Sequence, residues 1–240
     1  MHDDRSEVTL GPVFVTGVTT RQGGHSAAPY DAFNLATHVG DDPAAVAANR
    51  RDLQRDVEAP IVWMDQVHGD RVAVVTEPRG AAVAATDALV TSSPGLVLAV
   101  LVADCVPVML VDETAEVVGV AHAGRRGLVA GIVPRTLDVM ATLGSNPANV
   151  HVRLGPAICG RCYEVAAELR DEVEAAVPGS ASTTGSGMPG IDIKAGLRTQ
   201  LLGVGDIHDD VVCTVESTEH YSYRRDGVTG RFAGFVKINP

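Results

Sequence analysis

The chain holds 240 residues, 45% hydrophobic and 20% charged, which is enough apolar content for a sizeable core in one large domain or two small ones. A net charge of −11 argues against a nucleic-acid binder, which needs clustered Lys and Arg to neutralise phosphate, and against an affinity for anionic membranes. Four cysteines are too few for a disulfide framework, and "MHDDRSEVTL" shows neither a basic n-region nor an apolar h-region, so a reducing cytoplasm and free or metal-bound thiols are expected.

Residues 8–18 alternate loosely, as strands do, and "TRQGGHSAAPYDAFNL" reads as a loop. In "DDPAAVAANRRDLQRDV" an acidic cap at Asp41 or Asp42, Pro43 in the first turn, and Val46, Leu53 and Val57 at helical spacing predict a helix. "IVWMDQVHGDRVAVV" reads as strand on either side of a turn at Gly69-Asp70. "GLVLAVLVADCVPVMLVD" reads as one long strand and "EVVGVAHAG" as the next, joined by a turn from Asp112 to Ala115. The apolar run over 95–111 is interrupted by Asp104 and Pro107 and is too short to span a bilayer. Helices are predicted from Ala130 to Leu143, Glu164 to Val177 and Asp192 to Gly203, and strands at "VHVRLGPAI", "DVVCTV" and "GRFAGFVKI". The stretch over 178–190, "PGSASTTGSGMPG", is low in complexity and reads as a mobile loop. With no linker dividing the chain, residues 1–240 are expected to form a single α+β domain of mixed β-sheets flanked by helices.

Within the long apolar run a carboxylate, Asp104, stands beside a thiol, Cys105. Burying an unpaired carboxylate is costly, so a partner or a function is expected there. His68 in "QVHG", Cys105 in "ADCVP" and His122 in "AHAG" each follow an apolar, strand-like stretch. Cys105 and His122 lie seventeen residues apart on neighbouring predicted strands, which can bring them together at one end of a sheet. A His-Cys-His set suits Zn²⁺ with its fourth position open for chemistry; thiolate and imidazole also suit copper. Asp104 alternates to the opposite face of an ideal strand, where it can orient a ligand or move protons. Taken singly, these residues also have ordinary readings: a buried cysteine as a small hydrophobe, a histidine beside glycine as a turn residue. Cys159-Gly-Arg-Cys162 is a C-x-x-C without a second pair, half of a zinc knuckle at most, and reads as structural or incidental. "YSYRRDGVTGR" concentrates Arg224, Arg225 and Arg231 in an acidic chain, as a solvated loop or as an anion contact.

Seven ordered motifs, from "RQGGHSAAPYDAFNLATHVGDDPAAVAANR" through "WMDQVHGDRV", "TDALVT", "LVADCVPVMLVD", "GVAHAGRRG" and "LGPAICGRCYEV" to "RRDGVTGRFAGFV", resemble the laccase-domain proteins. These were once called multicopper polyphenol oxidases and later assigned as zinc-dependent purine nucleoside enzymes. The resemblance runs from about Val13 to the C-terminus and implies one metal ion on His68, Cys105 and His122, with zinc ahead of copper. The implied activities are phosphorolysis of adenosine, inosine, guanosine and methylthioadenosine, and deamination of adenosine. Zinc would acidify a water for attack at purine C6, with Asp104 handling protons. Phosphorolysis needs donors for phosphate, and Arg50 and Arg126 lie in matching motifs; Asn34 and Gln66 are placed to bind ribose or base. The expected partners are therefore small molecules, purine nucleosides and phosphate. The family usually reads "AHAGWRG", and here Arg125 stands in place of the Trp. The resemblance leaves three other readings open: a copper phenol oxidase, a metal-free Cys-His hydrolase built on Cys105 and His122, and a peptidoglycan-editing accessory protein.

Overall fold

The computed structural model describes residues 6–10 and 13–240; the start of the N-terminal stretch read as free of an export signal lies outside the described residues. In chain order the elements are β1 (Ser6–Leu10), β2 (Phe14–Thr19), α1 (Pro43–Asp56), β3 (Ile61–Val62), β4 (Val72–Val74), β5 (Ala88–Thr91), β6 (Val97–Val102), β7 (Val106–Asp112), β8 (Val117–Ala123), α2 (Arg125–Ala130), α3 (Ile132–Thr142), β9 (Val150–Leu154), α4 (Ala167–Ala176), β10 (Ala181–Thr183), β11 (Pro189–Ile191), α5 (Ile193–Gln200), β12 (Asp206–Asp209), α6 (Tyr223–Asp226) and β13 (Phe232–Ile238). One sheet has five strands in the order β1-β2-β13-β6-β3; the other has six, β12-β9-β7-β8-β5-β4. Both are mixed: β3 runs parallel to β6, β4 to β5 and β12 to β9, while the remaining pairs in the two sheets are antiparallel.

The period-two geometry of strands explains how the two sheets stack. Leu98, Val100 and Val102 of β6 turn toward the six-stranded sheet and pack with Met109, Val111, Val118 and Val120. The alternate residues Val97, Ala99 and Leu101 join Phe33, Leu35 and the α1 residue Leu53 on the outer side. In β7, Val106, Val108 and Leu110 face away from the first sheet, onto Leu128, Ile132, Met140 and Leu197 of the helices. Both strands are thus buried on two faces, which is why their sequence is continuously apolar instead of alternating. The result is the expected α+β arrangement, with α2, α3, α4 and α5 against the six-stranded sheet and α1 against the five-stranded one. The α1 cap is as read: the Asp42 side chain accepts from Ala44 N at 2.9 Å and Pro43 opens the helix.

The long apolar run is two strands, not one. At Ala103–Cys105 the chain leaves the first sheet and enters the second, and Asp104 makes that corner at φ 93°, in the left-handed region. Such a conformation costs a non-glycine residue roughly 1–3 kcal/mol and must be held by its surroundings. Thr214 Oγ1 donates to Asp104 Oδ1 at 2.7 Å and Arg224 N to Oδ2 at 2.6 Å, so the buried carboxylate is satisfied. Other departures have local causes. "IVWMDQVHGDRVAVV" supplies β3 and β4, which belong to different sheets. The helix expected over Ala130 to Leu143 is α3; a further short helix, α2, precedes it and ends at Gly131, whose φ is 76°. The segment read as a mobile loop over 178–190 forms the β10–β11 hairpin, with Glu174 accepting from the amides of Gly179 and Ala181. "DVVCTV" is not a ladder strand: β9 ends at Leu154, before Gly155-Pro156, and beyond it only Ala157 bridges to Cys213. Among the described residues, no helix is long and apolar enough to cross a membrane.

A Cβ at Gly131 would meet nothing within 4 Å, so the demand at that position is purely one of backbone conformation. Gly131→Ala is expected to cost about 1–2 kcal/mol, while Gly131→Asn, which tolerates the left-handed region better, costs less. Urea unfolding with an unchanged m-value checks this; equal midpoints for Ala and glycine would show that the break between α2 and α3 does not depend on residue 131.

Candidate metal centre

Three segments bring the donors together. His68 lies in the loop between β3 and β4 at φ 59°, a second strained residue at the site. His122 is in β8, opposite Pro107 of β7, and Cys105 immediately precedes β7. Their donor atoms all lie within 4.8 Å of one another. Cys105 Sγ is 3.9 Å from His68 Nε2, and the two imidazoles meet edge to face with centroids 4.6 Å apart. Gly124, directly after β8, makes room: a Cβ there would sit 2.8 Å from Cys105 Sγ and 3.1 Å from His68 Cδ2.

Asp87, just before β5 and fully buried, holds this arrangement. Its Oδ1 accepts from His68 N at 2.9 Å, and its Oδ2 accepts from Gly69 N at 2.8 Å and Val67 N at 3.2 Å. Burial by itself would raise the Asp87 pKa, but donation from His122, Gly69 and Val67 outweighs it and the net shift is downward. The carboxylate therefore accepts only, so His122 Nδ1, 2.9 Å from Oδ1, is its donor, and Nε2 is the ring nitrogen left for the centre, where a bound cation would displace its proton. This is the outer support that metal-ligating histidines ordinarily have. Without a cation, burial opposes charge on Cys105 and His122, yet mutual attraction prevails: the thiol falls to about 6 and the imidazole rises to about 9, the latter helped by Asp87. A thiolate and two imidazoles gathered within 4.8 Å of one another are a donor set that would suit a metal such as zinc, which would leave a coordination position for chemistry.

The centre lies on a cavity of about 620 Å³. Asp104 lines it, as do His38, Tyr163 and Tyr223, and Arg125, Arg224 and Arg231 bring positive charge to its wall. Gln66 also lines it, but both ends of its amide are engaged by Leu101, Nε2 donating to O at 2.8 Å and Oε1 accepting from N at 2.9 Å. Asn34 and Arg50 do not line the cavity. Asn34 is fully buried and ties together Ala36, Asp41 and Arg231 N, and Arg50 donates from Nε to Leu35 O at 2.8 Å with its guanidinium over Trp63. Arg126 is exposed on α2 and borders a separate shallow depression. Asp87 is a site feature sequence reasoning did not select, although it stands in "TDALVT"; of the arginine-rich stretch read as a solvated loop or an anion contact, Arg224 and Arg231 line the cavity.

Residues 15–239 match the family model described as multi-copper polyphenol oxidoreductase laccase, and the chain belongs to that family. Its relatives include a Streptomyces griseus protein named purine nucleoside phosphorylase, 54% identical over 228 residues and covering 92% of this chain and 93% of the relative. A Mycobacterium bovis protein of the same name is 53% identical over 223 residues, 91% of this chain and 89% of that one. Among solved structures, YlmD from Geobacillus stearothermophilus superposes with a TM-score of 0.88 at 35% identity, covering 95% of this chain and 92% of that one. A Neisseria meningitidis protein of the family titled DUF152 gives 0.87 at 34% identity, covering 98% and 100%.

Replacing Asp87 removes the support for both histidines at once. Asp87→Asn is expected to weaken the binding of an added divalent ion, such as Zn²⁺ or Co²⁺, at His68, Cys105 and His122 by about 10–100-fold. Competition against a chromophoric chelator measures it, and unchanged affinity would show that the ligands hold their geometry without the carboxylate.

Proposed function

We propose that the chain is a zinc-dependent purine nucleoside phosphorylase that also deaminates adenosine at the same cavity. The observation that carries this reading is the joining of a nitrogen-nitrogen-sulfur donor set to a cavity walled by three arginines in a chain of net charge −11. The cavity volume is that of a small-molecule site, and Leu101, Val102 and Ile158 give it an apolar wall suited to a purine. The relatives' name, purine nucleoside phosphorylase, supports the phosphorylase part of this reading.

A metal held by His68, Cys105 and His122 would supply a Lewis acid and lower the pKa of a water there. The chain's own residues do the rest. Each oxygen of Asp104 accepts one hydrogen bond, leaving acceptor capacity for a substrate proton, so Asp104 is the carboxylate that exchanges protons with the purine. Arg125, Arg224 and Arg231 replace Arg50 and Arg126 as the phosphate donors, because they border the cavity and the other two do not. Burial lowers the Arg231 pKa without threatening its charge, since nearby Cys105 and Asp104 favour the cation. His38, held below its usual value by burial and by Arg231, is neutral at pH 7 and available as an acceptor.

Inosine cleavage is expected to require phosphate and to release ribose 1-phosphate, whereas adenosine deamination proceeds without phosphate. Cys105→Ala is expected to abolish both while leaving the circular dichroism spectrum intact. Free ribose formed at the same rate in phosphate-free buffer would mean hydrolysis and would end the phosphorylase reading. Arg125→Trp is expected to leave activity metal-dependent and to move KM for nucleoside or phosphate more than kcat, the mark of altered uniform binding. Unchanged KM values would take residue 125 out of substrate contact.

The order Cys105–His122–Asp87 favours one second reading, a metal-free Cys-His-Asp hydrolase. Turnover that survives a chelator but not iodoacetamide would select it. Multicopper oxidation has less support: among the described residues, the two groups able to hold a metal contain at most two histidines.

A further inference from the structure

The C-x-x-C that lacked a second pair in the sequence has one in the fold. Cys159 and Cys162 sit on one tight turn, with Cys162 N donating to Cys159 O at 3.0 Å. Cys213 and Glu216 sit on another turn of the same kind, with Glu216 N donating to Cys213 O at 3.1 Å. The two turns face each other because β9 and β12 run parallel and their pairing continues in the bridge between Ala157 and Cys213. The three sulfurs and a Glu216 carboxylate oxygen lie within 4.8 Å of one another, and Cys162 Sγ is 3.6 Å from Glu216 Oε1. Cys213 Sγ also accepts from Cys159 N at 3.4 Å, an amide-to-sulfur bond of the kind that steadies a metal thiolate. Two turns, each presenting donors three residues apart, make a complete four-donor set closed to substrate.

We propose that Cys159, Cys162, Cys213 and Glu216 form a second metal site, which takes Zn²⁺ and has a structural role. Three soft thiolates and one carboxylate select zinc over the hard cations, and the donor count leaves no position open for chemistry. Without a cation, three thiols gathered this closely would repel as thiolates and could not all ionise together. A divalent ion offsets that repulsion and deprotonates all three. The site also has a consequence for the cavity. Ile158, next to Cys159, lines the cavity and donates its N–H to Asp104 O at 2.9 Å. Thr214, next to Cys213, donates to the Asp104 carboxylate, and the carbonyls of Thr214 and Ser217 accept from Arg225 Nη1 at 2.8 Å and 2.6 Å. Clamping the two turns together therefore fixes the strained corner at Asp104.

Elemental analysis of the desalted full-length protein, prepared with zinc, is expected to give two equivalents of zinc. Cys105→Ala and the Cys159→Ser/Cys162→Ser double variant should each hold one. Because the double variant can fail to fold, the unmodified protein gives a separate test with Co²⁺ as the probe. Thiolate-to-cobalt charge transfer scales with the number of sulfurs, so the second site should contribute about three quarters of the total band, and Cys105→Ala should retain that share. Glu216→Gln, a change at an exposed side chain, should weaken the three-thiolate site while the His68–Cys105–His122 centre keeps its affinity. One equivalent of metal with a single-thiolate spectrum overturns the proposal. So does a native Cys159–Cys162 or Cys159–Cys213 disulfide found by mass spectrometry of the alkylated chain.

Discussion

The Asp87 carboxylate is the constraint on which the centre depends. One buried anion takes the amides of a three-residue loop and the ring nitrogen of a strand histidine, and it thereby fixes a flexible ligand and a rigid one to a common reference. Its burial makes each bond stronger than it would be in water, and its satisfaction by four donors makes the burial tolerable. The turning of His122 Nε2 toward the centre and the approach of His68 to Cys105 follow from where this group sits, and the closeness of Cys105 and His68 leaves room only for glycine at position 124.

The stacked sheets give that anion a dry interior. β6 and β7 are apolar on both faces because each is sandwiched, and the chain can change sheets between them only through an abrupt corner. Asp104 occupies the corner and is held by the segments around Thr214 and Arg224, more than a hundred residues away in the chain. The strain at Asp104 and His68 is concentrated beside the donors, where surrounding structure is dense enough to enforce it.

What could be read from the sequence was what local chemistry determines. α1 was legible because its cap, proline and apolar spacing lie within one short segment. The three donors were legible because one thiol and two imidazoles each follow an apolar, strand-like stretch, a joint pattern that places them at one end of a sheet. Asp87 was not, because most of its partners are backbone amides, which carry no sequence signature. Asn34 and Arg50 have the residue types of binding groups, yet their polar atoms are engaged by neighbouring loops, a fact set by tertiary packing. The hairpin over 178–190 was hidden by its Gly and Ser content, since its order comes from main-chain pairing and from Glu174. The partner of the C-x-x-C escaped notice because one of its donors is a carboxylate and only the β9–β12 pairing brings it near.

The corner between β6 and β7 also bears on how the protein assembles. Cys105 follows a strand of one sheet and opens a strand of the other, so its place relative to His122 is set by β7 and β8, while the corner's support comes from segments that pack later in the chain. Neither sheet alone can present a finished nitrogen-nitrogen-sulfur pocket. Non-local pairings of this kind form late, after their loop-closure entropy has been met. A metal held by His68, Cys105 and His122 would thus be captured only once both sheets are in place, and uptake of Co²⁺ as a coloured probe would time their docking.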